Sequence, residues 1–114
     1  MFGLNVGLRF YFYNRPTDMR KSFDGLSGLI QNNTDYNLLC GDVFVFVNKM
    51  RNKMKLLRWE HGGFILYYKR LEQGTFEVDQ DFERQITKKL DYSTLVMMVN
   101  GISTKNIKYL KRYG

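Results

Sequence analysis

Residues 41–76 read GDVFVFVNKMRNKMKLLRWEHGGFILYYKRLEQGTF, and this stretch decides the fold. Val43 to Val47 is an unbroken run of β-branched and aromatic residues, the pattern of a strand covered on both faces. Asn48 to Asn52 is polar and turn-like. Lys53 to Glu60 then mixes Met54, Leu56, Leu57 and Trp59 with cations, and Phe64 to Tyr68 is again aromatic and aliphatic. Between the last two runs, Gly62-Gly63 supplies the positive φ that a tight hairpin turn needs. Three strands joined by two turns follow, with Gly74 closing the unit.

The rest of the chain packs on this meander or leads away from it. Upstream, Leu8 to Tyr13 (LRFYFY) reads as a strand, with Leu8, Phe10 and Phe12 on one face and Arg9, Tyr11 and Tyr13 on the other. Pro16 ends it, having no amide hydrogen to donate and biasing Arg15 to an extended conformation. A helix is expected to follow, with Thr17 as N-cap and Asp18 in its first turn. Met19, Phe23, Leu26 and Ile30 form its apolar stripe, widened by Leu29. Asn32 to Asn37 is a polar loop. After the meander, residues 74–83 are acidic and irregular. A second helix is expected over Tyr92–Asn100, led by Asp91 and ended by Gly101. A basic tail closes the chain.

The 114 residues suit one domain, with a core over about 8–102 and a tail over 103–114. Aromatic residues make up 16% and Ala is absent, a bias toward strands over long helices. No run approaches the roughly 18 apolar residues that cross a bilayer. The opening MFGLNVGLRFYFY lacks the early cation of a signal peptide. The expected location is therefore the cytoplasm, and lone Cys40 is expected as a small packed residue beside Gly41 rather than half of a disulfide. Net charge is +7 and unevenly spread. Lys49, Arg51, Lys53, Lys55 and Arg58 lie close together with no acid among them, whereas Glu77, Asp79, Asp81 and Glu83 form an acidic run. Clustered cations attract polyanions, above all nucleic acid. The competing reading makes them a solubilising face.

Catalytic motifs are sparse. His61 is the one histidine, so no zinc set forms with lone Cys40. No phosphate-binding glycine loop or Gly-x-Ser-x-Gly elbow occurs. Asp18, Asp24, Asp42, Glu60 and Glu72 are the carboxylates a metal-dependent nuclease would need, but they read as a helix start, turns and strand ends. No enzyme, metal or cofactor is expected. The cationic strand offers more. Alternation puts Lys53, Lys55, Leu57 and Trp59 on one face and Met54, Leu56, Arg58 and Glu60 on the other. Lys69 and Arg70 close the next strand, and Arg20-Lys21 open the helix. Together with Tyr11, Tyr67 and Trp59, these cations offer phosphate contacts and ring surfaces for bases. The alternative leaves the rings in the core with cations snorkelling at its edge.

Three stretches together carry a family resemblance: RPTDMRKSFDGL at 15–26, VFVN at 45–48 and KLLRWEHGGFILYYKRLEQGTF at 55–76. They resemble the short Orf2-like accessory protein of IS66-type insertion sequences. That protein is also called TnpB and is distinct from the larger RNA-guided nuclease of the same name. Ser22 stands where a glycine is common, and the Glu60-His61-Gly62 turn departs from an acid-rich version. The resemblance implies a non-catalytic accessory of transposition encoded beside a larger transposase, and it transfers no catalytic residue. Its motif positions least explained by packing are Arg20, Lys21, Asn48, Lys55, Lys69 and Arg70. The combined expectation is an α+β fold with a mainly antiparallel four-stranded sheet in β-α-β-β-β order. One helix covers a face of the sheet and a short helix lies near the C-terminus. Arg20, Lys21, Lys53, Lys55, Lys69 and Arg70 are expected to contact DNA at element ends. Candidate partners are that DNA, the transposase and a second copy of the chain, with no membrane. The alternatives are a module docking on the transposase without touching DNA, and a nuclease depending on Asp18 or Glu72.

Overall fold

The computed structural model describes residues 7–78 and 85–100. The elements run β1 (Phe10–Tyr13), α1 (Phe23–Asn33), a 3₁₀ turn (Leu38–Cys40), β2 (Val43–Val47), β3 (Lys53–Glu60), β4 (Gly63–Arg70), β5 (Thr87–Leu90) and α2 (Tyr92–Val99). They build a five-stranded sheet in the order β4-β3-β2-β1-β5. Every pairing is antiparallel except β1 with β2, which is parallel. A parallel neighbour demands a crossover, and α1 supplies it.

The sheet is mainly antiparallel, as expected, but it has five strands rather than four. The additional strand, β5, pairs along β1 from Phe10↔Leu90 to Tyr13↔Thr87. Its sequence, TKKL, buries only Leu90. Two lysines in four residues give neither alternation nor an apolar run. What recruits the segment is the open edge of β1, whose backbone groups need partners.

Alternation sorts the core into two layers. Phe10, Phe12, Val43, Val45, Val47, Met54 and Leu56 point to one face and pack with Phe76 and with Leu95, Met98 and Val99 of α2. Tyr11, Tyr13, Phe44, Phe46 and Leu57 point to the other and pack with Leu26 and Ile30 of α1. All of β1 and β2 is buried, as strands covered on both faces must be. Asp91 caps α2, its Oδ1 accepting from Thr94 N–H at 2.8 Å, and these hydrogen bonds hold the carboxyl below its usual pKa. Gly101, expected to end α2, and the tail beyond it lie outside the described residues, as do Asp79, Asp81 and Glu83.

α1 starts later than the sequence implied. Thr17 does not cap it: its N–H donates to Val47 O (2.9 Å) and its hydroxyl to Arg15 O (3.2 Å). Asp18 accepts instead from Arg20 N–H at 2.9 Å, and helix begins at Phe23. Residues 17–22 are held out of the helix because the Lys55 ammonium takes the carbonyls of Met19 and Lys21 at 2.8 and 2.7 Å. Those are the acceptors a helix would offer to the amides four residues on. Phe23, placed on the apolar stripe by spacing, is consequently 42% exposed. Cys40 is exposed rather than packed, its thiol donating to Asn37 O at 2.9 Å. Among the described residues no helix is long and apolar enough to cross a membrane.

Candidate functional site

The turn between β2 and β3 is built by Asn48. Its Oδ1 accepts from the amides of Asn52 and Lys53, both at 3.0 Å, and its Nδ2 donates to Asn52 Oδ1 at 2.7 Å. The backbone N–H of Arg51 closes the turn on Asn48 O at 3.0 Å, with Arg51 at φ 59°. A side-chain amide, carrying both donor and acceptor, replaces the backbone partners that a five-residue connection lacks. Asn48 is thus accounted for structurally. Its effect is to present Lys49 and Met50 at the tip, with Met50 72% exposed.

The second wall is residues 16–20. Lys55 projects from β3 on the α1 face, as alternation required, but its side chain runs inward under this loop. The residue is only 6% exposed, with Nζ bonded to the two loop carbonyls and 4.7 Å from the ring centroid of Tyr68. Tyr68 is its cross-strand partner on β4. The ammonium is satisfied by carbonyl oxygens and by the π-face beneath it, the arrangement a buried cation without a carboxylate partner requires.

Between these walls lies an open cleft of about 520 Å³, lined by Pro16, Thr17, Asp18, Met19, Arg20, Asn48, Lys49, Met50, Lys53 and Tyr68. Arg20 is bound to Asp18, with Nη2 2.7 Å from Oδ2 and Nε 2.9 Å from the same oxygen, yet its side chain is 92% exposed. Neither Lys49 nor Lys53 is ion-paired with any carboxylate among the described residues. Tyr68 remains half exposed even with Lys55 against its ring. A smaller hollow that shares Pro16, Asn48 and Lys49 with the cleft adds Arg15 and Arg51. One end of the sheet therefore gathers cations around an open ring.

The structure brings only part of the expected set together. Arg20 and Lys53 share the cleft, and Lys21 is exposed close by. Lys55 sits in the interior. Lys69 lies on the α2 face, where its Nζ donates to Val99 O at 2.7 Å and caps the end of that helix. Arg70 is surface-exposed and paired with Glu72 at 2.9 Å. Lys49 and the ring of Tyr68 were not among the residues expected to contact DNA. The acid-free run that includes Lys49 was its visible signal; only the β3–β4 register shows Tyr68 beside Lys55.

Among the described residues the carboxylates do not converge. Asp18 pairs with Arg20, Asp42 with Arg9 at 2.9 Å, Glu60 with Arg58 at 3.7 Å, and Glu72 with Arg70. No group of three His, Cys, Asp or Glu side chains suited to a metal occurs among the described residues. The Asp18 carboxyl is lowered from the ordinary 3.8 to about 2 by hydrogen bonds from the Arg20 guanidinium and amide. A depressed acid stabilises the fold above its unfolded value and loses that contribution as pH falls through the folded value. The Asp18–Arg20 turn is therefore expected to persist below pH 3.8 and open near pH 2. An NMR titration of the Asp18 carboxyl carbon should show a midpoint near 2, moving up toward 3.8 in Arg20→Ala.

Comparison with known proteins places this geometry in context. The family model described as IS66 Orf2 like protein matches residues 8–109. An uncharacterized protein, y4jC, of Sinorhizobium fredii (strain NBRC 101917 / NGR234) is 36% identical over 76 residues. That match covers 67% of this chain and 65% of the relative, so the chain spans just under two thirds of the curated protein it matches. No solved structure matches.

Proposed function

We propose that this chain, which belongs to the IS66 Orf2-like family, assists transposition as a non-catalytic protein that grips DNA in the cleft between the β2–β3 turn and the Pro16–Arg20 loop. The family supports a role in transposition. The observation that carries DNA contact is the pair Lys49 and Lys53, without a carboxylate partner among the described residues and facing Arg20 across a cleft open to solvent. Lysine ammonium groups on a rigid turn hold phosphates as point charges, and Arg20 retains donors beyond those it gives to Asp18. Lys21 and Arg70 extend the basic surface. Lys55 contributes by holding the loop, not by touching DNA, and Lys69 by fastening α2.

The transposase of the same element is the partner such an accessory would serve, and exposed Met50 offers an apolar contact for it. The test is a salt-titrated binding measurement with a duplex from an element end and an unrelated duplex. Binding whose logarithm falls linearly with the logarithm of salt concentration is expected, the slope reporting the phosphates engaged. Preference for the end duplex would add base readout. No binding to either duplex at moderate salt overturns the reading, and retention of the transposase in that case would assign the cleft to protein docking.

A further inference from the structure

β4 forms an edge of the sheet. It is eight residues long, GFILYYKR, and among the described residues only β3 pairs with it. Natural edge strands are shortened, bulged, broken by proline or charged along their length, because their unpaired backbone groups template another strand. β4 has none of these devices before Lys69. Its register with β3 is unbroken from Glu60↔Gly63 to Lys53↔Arg70, and Phe64, Ile65, Leu66 and Tyr67 all keep part of their surface in solvent.

The hydrogen-bond phase of this edge follows from the turns at either end. His61 (φ 48°) and Gly62 (φ 85°) are both left-handed, the signature of a two-residue type I′ turn, whose flanking pair is hydrogen-bonded. At the other end Leu71 N–H donates to Asn52 O at 2.8 Å. Both facts turn the backbone groups of the odd-numbered residues toward β3. Phe64, Leu66, Tyr68 and Arg70 therefore direct their N–H and C=O groups outward.

We infer that β4 is a self-association edge, joining antiparallel to β4 of a second copy about a two-fold axis at Leu66 to make one continuous sheet. The strand is self-complementary in that register. Leu66 meets Leu66, Phe64 meets Tyr68, and Ile65 meets Tyr67, pairs of the kind that stabilise antiparallel sheets. The cations do not oppose one another: Lys69 of each copy falls opposite Gly63, and Arg70 opposite Gly62. Glu60 is the next residue across from Gly63 on β3, so the row that receives Lys69 carries a carboxylate. An axis moved to Tyr67 would instead set Lys69 against Ile65 and Arg70 against Phe64. The occupant is a second copy because chemistry and charge both close on themselves.

Sedimentation equilibrium without DNA tests this. At 0.3 M salt, which screens the repulsion between two chains of charge +7, the wild type is expected at twice its 13.6 kDa mass. Leu66→Lys and Leu66→Glu are each expected to sediment as monomers, since each places like charges at the axis. Mixed in equal amounts, they are expected to recover a dimer containing one of each. A monomeric wild type overturns the proposal and leaves the edge to a strand from elsewhere. A dimer that survives both single charges also overturns it, as does failure of the mixture to associate while both variants retain the wild-type circular dichroism. None of these outcomes depends on DNA binding, so the cleft reading stands or falls separately.

Discussion

Replacing Lys55 with methionine is expected to lower stability by about 2 kcal/mol, roughly 10 °C in Tm for a chain of this size. Methionine matches the length of the stem and leaves the packing on Tyr68 largely in place. It cannot donate to Met19 O and Lys21 O, which lose their partners at 2.8 and 2.7 Å. Each bond involves a charged donor, and such bonds contribute about 1.5–3 kcal/mol. Removing a cation from a site only 6% exposed returns part of that through relieved desolvation. A thermal melt monitored at 222 nm measures the balance. An unchanged Tm would mean that the loop is held by Thr17 N–H to Val47 O and by the Asp18–Arg20 contacts alone. Lys55→Arg, which keeps donors but not the point geometry, should fall between.

Lys55 also marks where reading the sequence stops. Alternation along β3 correctly placed it on one face with Leu57 and Trp59, but alternation assigns a side, not a depth. A lysine on a half-covered face looks the same whether its ammonium meets water or two carbonyls. The loop that buries it is the segment expected to be helix, where the capping signal of Thr17-Asp18 was strong locally and lost to tertiary bonds. The meander was legible because its runs are long and Asn48 and Gly62 have single physical uses, although the second turn falls on His61 and Gly62 rather than on the expected Gly62-Gly63, Gly63 already pairing with Glu60. The second helix was legible from Asp91, which the structure places at its N-cap. β5 was not, because an edge strand of four residues with two lysines owes its conformation to a neighbour far away in the chain. The cleft shares that difficulty: Lys49 and Lys53 come from one turn, but Arg20 and Tyr68 arrive through the parallel crossover and the β3–β4 register.

The variant pair Lys49→Ala with Lys53→Ala separates a phosphate grip from a positioning effect. Two lost phosphate contacts are expected to reduce the magnitude of the salt slope by about 1.8 and to weaken binding roughly 60-fold at 0.1 M salt. Both changes lie on the surface and remove no bond that holds Asn48 or the loop, so Tm should move little. Lys55→Met gives the opposite signature. Its loss loosens the wall carrying Arg20, so affinity should fall, yet the slope should stay near that of the wild type because no phosphate contact disappears. Affinity alone would not distinguish the two, since both variants bind more weakly. The slope does, because counterion release counts charges at the interface and ignores how they are held in place. If the double variant kept the wild-type slope, Lys49 and Lys53 would not be at the DNA, whatever the chain binds elsewhere. The exposed end of the β2–β3 hairpin would then be better explained by Met50, which stands between those lysines in the sequence and is 72% exposed.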